Sequence, residues 1–189
     1  LGSKDKYGLH AVGLEQRATD KPMADAYAAE LSLIGTEEPA YMSIRVQVLN
    51  VTPTIWREIL VSSRVTLSSL HDHVLCPAFG YQRGYHAYAF RKGQEPWLGP
   101  VNSTAIDMQH CVFYIGCMGS DKDVKLVALL NKVGDKCLYV KDLGDWIAHR
   151  ITVVQVYSSS DQEYIPPEMS GTAHVMDGAN EGIPEDTGR

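Results

Sequence analysis

Two runs with strand character, Lys136–Lys141 and Ile147–Tyr157, are separated only by Asp142-Leu143-Gly144-Asp145-Trp146. A connection that short must be a tight turn. Its composition predicts how the turn is made: Gly144 for a backbone angle other residues resist, and Asp142 or Asp145 for a side-chain bond to its own backbone. The same residues also read as a polar site. Asp145 and His149 can titrate, ligate or accept hydrogen bonds beside the aromatic wall of Trp146.

The rest of the chain is large enough to surround such a turn with a core. Its 189 residues and 44% hydrophobic content suit one ordinary domain with a small appendage, without a disulfide framework or a structural metal. Cys76, Cys111, Cys117 and Cys137 are scattered and lack the CxxC spacing of a zinc knuckle. They read as reduced, mostly buried thiols of a soluble intracellular protein. No run of eighteen apolar residues and no leader-like layout is present, so no membrane is expected. Leu1 is not a start methionine, and a junction with something upstream is expected.

Charge is unevenly placed. Residues 161–189 hold Asp161, Glu163, Glu168, Asp177, Glu181, Glu185 and Asp186 against Arg189 alone, which accounts for the whole net charge of −6. The body is near neutral and has no dense Lys/Arg cluster. That disfavours direct binding of nucleic acid.

Taken in order, residues 1–20 read as a linker. A helix is predicted from Asp20, with Pro22 in its first turn, Met23, Tyr27, Leu31 and Ile34 at helical spacing, and Gly35 at its end. Tyr41–Val51 alternates, with Met42, Ile44, Val46 and Val48 on one face, and Ile55–Val61 should pair with it as a hairpin. Thr66 suits the N-cap of a helix through about Cys76, with Leu67, Leu70 and Val74 buried and Pro77 enforcing the stop. Tyr85–Phe90 predicts a strand with His86, Tyr88 and Phe90 on one face. Residues 91–110 look like a long excursion able to lie over a site. Cys111–Gly116 reads as a short strand and Val124–Asn131 as a short helix. The organisation expected is a linker and docking helix over 1–40, a domain over 41–160, and an acidic tail over 161–189 that latches onto the domain.

Pro53-Thr54-Ile55-Trp56-Arg57, Thr66-Leu67 with Leu70-His71, Gly80-Tyr81 with His86 and Phe90, Tyr139 with Asp142, Gly144-Asp145, Trp146 and His149, and Gly178 with Pro184-Glu185-Asp186 and Gly188 follow one another in an order that resembles the plasmid pRiA4b ORF-3-like family. The resemblance spans roughly Tyr41 to Gly188. It implies an α+β domain, a mostly antiparallel or mixed sheet with two or three packed helices, and no known reaction. Eukaryotic relatives look like fusions, which the polar start of this chain would suit. Where the family carries a second histidine and a glutamate on its histidine-rich strand, this chain has Tyr88 and Ala89. Where it carries cysteines around Pro184-Glu185-Asp186, this chain has Gly182 and Thr187. The spacing from Gly144-Asp145 to Trp146 and His149 is also shifted by one residue.

The candidate ligand or metal set is His71, His86, Asp142, Asp145, His149, Glu185 and Asp186, with a divalent metal ion as the cofactor they would take. Trp56, Arg57, Gly144 and Trp146 are the candidate structural motif. A plainly structural role for the set is the competing expectation, with Asp142 and Asp145 capping a turn, Trp146 plugging the core and Pro184-Glu185-Asp186 fastening the tail. No GxSxG, phosphate loop or dinucleotide motif is present. Two functions are carried forward: a non-catalytic binding or protein-interaction module with a protein partner, and a metal-dependent enzyme or mobile-element accessory protein.

Overall fold

The computed structural model describes residues 14–34, 39–110, 117–161 and 173–179. Among these residues eight strands form one sheet: β1 (Tyr41–Val48), β2 (Trp56–Ser62), β3 (Tyr88–Arg91), β4 (Trp97–Gly99), β5 (Met118–Ser120), β6 (Lys136–Lys141), β7 (Ile147–Tyr157) and β8 (Ala173–Ala179), in the order β5-β4-β3-β6-β7-β1-β2-β8. Every neighbouring pair is antiparallel except β4 and β5, which are parallel. The α+β class and the mixed, mostly antiparallel sheet are therefore as expected.

Period-two alternation sorts the sheet's two faces. Met42, Ile44, Val46 and Val48 of β1, Tyr88 and Phe90 of β3, and Tyr139 of β6 join the larger core with Leu67, Leu70, Val74 and Phe79. Ala87, Ala89 and Val140 point the other way, into a smaller core with Ala105, Met108, Met118 and Leu143. Trp146 is half-buried over this second core and edge-on to Trp97, 5.7 Å between ring centres, and so lies apart from the main core.

The helical layer begins with α1 (Leu14–Ser32), which starts earlier than the sequence pattern suggests and carries Pro22 inside it. Its buried side is Ala24, Ala28 and Leu31; Met23 and Ile34 are exposed. The reason is how closely α1 approaches β5. A Cβ placed on Gly119 would overlap the Ala24 carbonyl and lie 2.8 Å from the Ala28 Cβ, so alanines stand where the helix crosses Gly119.

Helix α2 (Leu67–Leu70), a π turn (His71–Leu75) and α3 (Cys76–Phe79) follow one another without a break. Thr66 caps the start, its Oγ1 accepting from Ser69 N at 3.2 Å. Pro77 does not stop the helix at Cys76. The Cys76 N–H reaches back five residues to His71 O, and a fresh turn begins in which Pro77 has no N–H partner to forgo. Gly80, at φ 74°, ends it. Two further short helices among the described residues lie on opposite faces of the sheet, α4 (Ile106–His110) against the smaller core through Met108 and α5 (Leu126–Leu129) against the larger one.

The Trp56-Arg57 motif ties elements together. Arg57 donates to Ala78 O at the end of α3 (3.2 Å) and to Trp56 O (2.8 Å), and its side chain lies across Gly178 of β8. Arg45 sits 4.4 Å over the half-buried Trp56 ring. Cys76 and Cys137 are buried, and burial pushes the Cys137 thiol up to about 12. Cys111–Gly116 lies outside the described residues. No helix among the described residues is long and apolar enough to cross a membrane.

Candidate metal centre and cleft

The turn after β6 is built by Asp142. Its φ of 60° turns the chain out of the sheet, and its Oδ1 accepts from Gly144 N and Asp145 N, both at 2.9 Å. The Trp146 N–H closes the turn on Asp142 O at 2.7 Å. Gly144 is therefore not needed for its backbone angle, since the left-handed residues here are Asp142 and Trp146. What it supplies is room, because a Cβ at Gly144 would lie 3.1 Å from Asp142 Oδ1.

Asp107, on α4, fastens this turn to the start of β3. Its carboxylate accepts from Ala87 N (2.7 and 2.9 Å), Met108 N (3.1 Å) and Leu143 N (3.0 Å). Asp107 and Asp142 are each only 5% exposed. Between them stands His86, its Nε2 3.3 Å from Asp142 Oδ2 and its Nδ1 3.9 Å from Asp107 Oδ2. The buried Lys141 ammonium donates to His86 O at 3.2 Å. One ligand atom from each of His86, Asp107 and Asp142 lies within 4.8 Å of the others.

His86 also forms part of the wall of a cleft of about 340 Å³, together with His71, Asp72, Tyr88, Asp121, Lys122 and the 100–103 loop. The expected excursion over 91–110 thus contains β4 and α4 and does border this cleft. On its wall, the Tyr88 O–H donates to Asp121 Oδ2 at 2.6 Å. Burial pushes the Asp121 carboxyl up to about 6 against the pull of that bond, and burial with the nearby Asp121 charge pushes the Tyr88 hydroxyl well up.

The remaining candidates divide. His71 is buried, stacked on Tyr88 at 3.5 Å between ring centres and hydrogen-bonded through Nδ1 to Tyr139 Oη at 2.8 Å. Burial, helped by Lys141, lowers it to about 2. His149 is fully buried among Phe79, Tyr81 and Tyr139, with Nε2 2.7 Å from Tyr81 Oη, and burial lowers it to about 4. Asp145 is exposed, and only its backbone N–H takes part in the turn. Glu185 and Asp186 lie outside the described residues. The structure thus brings His86 and Asp142 together and keeps His71 and His149 as uncharged packing residues. Sequence reasoning missed Asp107, whose one signal is a carboxylate set among Ala105, Ile106 and Met108.

The buried groups give opposite pH dependences. An unfolded chain protonates His71 and His149 near 6.5 while the folded chain does not until about 2 and 4, so both remove stability as pH falls below 6.5. Asp121 is raised from 3.8 to about 6, so the folded state holds its proton more tightly and stability falls as pH rises through that window. Asp121→Asn removes the opposing contribution. Urea unfolding from pH 4 to 6 should show the variant losing stability on acidification more steeply than the parent, by about 1.4 kcal/mol per pH unit. Equal slopes would place Asp121 in ordinary solvent contact.

The profile of the family described as plasmid pRiA4b ORF-3-like protein matches residues 40–189. The chain belongs to this family. No curated protein matches it. Among solved structures it is similar to a protein of unknown function from Methanosarcina mazei Go1, with a TM-score of 0.61 and 20% identity over 78% of this chain and 74% of that one. At that identity the likeness speaks for the fold alone. Membership in the pRiA4b ORF-3-like family thus fixes the fold and leaves the activity to be argued from the site.

Proposed function

We propose that the chain is a non-catalytic binding module whose ligand seat is the cleft beside His86. The observation that carries this reading is a concavity of about 340 Å³ in which a histidine held by a buried carboxylate and the Tyr88–Asp121 pair share the wall. That volume suits a small polar molecule, and fixed polar groups on a concave wall are what orient one. A protein-binding face has less support. The large exposed hydrophobics among the described residues, including Met23, Tyr85, Ile106, Val133 and Val154, belong to separate elements.

The test is an NMR titration with a library of amino acids, amines and small sugars, repeated on Asn102→Trp, which places an indole in the cleft from an exposed lining position. A ligand that shifts the amides of Ser68, Gly84, Ser103 and Lys122, and binds the tryptophan variant at least tenfold more weakly, is the expected result. Shifts confined to other surfaces, or equal binding by the variant, would sink the proposal.

A further inference from the structure

We propose that His86, Asp107 and Asp142 form a divalent-cation site, whatever small molecule the cleft takes. Three elements distant in sequence deliver these groups: the turn before β3, the helix α4 and the turn after β6. Their ligand atoms lie within 4.8 Å of one another, whereas two bonds of about 2.1 Å meeting near the tetrahedral angle hold their donors about 3.4 Å apart, so the widest separation closes by at most about 1.4 Å when an ion enters. The 3.3 Å between His86 Nε2 and Asp142 Oδ2 is already the spacing of two such bonds meeting near the tetrahedral angle.

Asp142 has a free oxygen in the right place. Asp142 Oδ1 takes both turn N–H groups, leaving Oδ2 to face His86. Asp107 is oriented by three backbone N–H donors, as the carboxylate ligands of metal sites are by their outer hydrogen bonds. With Nε2 turned to the ion, His86 Nδ1, buried with no hydrogen-bond partner among the described residues, carries the ring proton and lies 3.9 Å from Asp107 Oδ2. The two buried carboxylates form no ion pair with Lys or Arg among the described residues, Lys141 donating instead to the His86 carbonyl; a dication supplies the missing positive charge. His86 is 23% exposed on the cleft, so the remaining coordination positions open to solvent there. One imidazole nitrogen and two carboxylate oxygens fit zinc, manganese or ferrous iron. Copper(I), which prefers thiolate, and calcium, which prefers an all-oxygen cage, fit poorly.

The experiment is a titration of chelator-treated protein with Mn²⁺ and, separately, Zn²⁺, without any small-molecule ligand, so that its failure leaves the cleft reading standing. Calorimetry should give one ion per chain, and Mn²⁺ should broaden the amide signals of Ala87, Leu143 and Gly144 before any others. His86→Ala and Asp142→Asn should each bind at least tenfold more weakly, the latter keeping an acceptor for the two turn N–H groups, with circular dichroism confirming that both are folded. No stoichiometric binding of either ion, or undiminished binding by both variants, would overturn the site and leave the two carboxylates as backbone fasteners.

Discussion

Asp107→Ala is expected to lower the free energy of unfolding by about 3–5 kcal/mol, the scale for stranding buried hydrogen-bonding groups that had a charged partner. The carboxylate is 5% exposed and accepts from Ala87, Met108 and Leu143, so alanine strands three backbone donors at once. Asp107→Asn should be little better, since one side of the group becomes a donor facing donors. Urea unfolding followed by tryptophan fluorescence measures the loss. A change below about 1 kcal/mol would mean that water or a rearranged α4 takes over these N–H groups, and that α4 does not fasten the turn.

Gly119→Val should detach α1 from the sheet. The added Cβ overlaps a backbone carbonyl, that of Ala24, and approaches the Ala28 side chain, so no rotamer change can relieve it. The expected loss is about 3 kcal/mol, at the upper end for overpacking. The described part of α1 around Ala24 and Ala28 should also become open to proteases. A variant whose α1 stays protected and whose melting temperature is unchanged would show that the helix slides along β5 to make room.

How much of this was readable in advance depended on the range of the interactions involved. β6 and β7 end where their alternation ends, and the β1–β2 hairpin and the Thr66 cap are local patterns that nothing distant overrides. Helical spacing marks Tyr27 and Leu31, which do pack on the core, but also Met23 and Ile34, which are exposed, because the closest approach of α1 is set by Gly119, nearly a hundred residues away. Pro77 reads as a stop in the sequence because its tolerance depends on the preceding π turn. β8 escaped notice within an acidic, glycine-bearing stretch. At the site, His86 and Asp142 could be named as ligand types, but their meeting depends on β3 pairing with β6, and Asp107 reaches them through a helix the composition of 91–110 did not announce. His71 and His149 look the same as His86 in sequence; only their aromatic surroundings mark them as neutral packing groups.

The strand order also constrains synthesis. β1, the first strand made, ends up between β2 and β7, with Tyr41 opposite both Ser62 and Tyr157. While the polypeptide is still emerging, the β1–β2 hairpin must wait with an open hydrogen-bonding edge until residues 147–157 have been translated. At ribosomal speeds this interval is on the order of ten seconds, far longer than a hairpin needs to form. The apolar face of Met42, Ile44, Val46 and Val48 is therefore where a nascent-chain chaperone would be most useful to this protein.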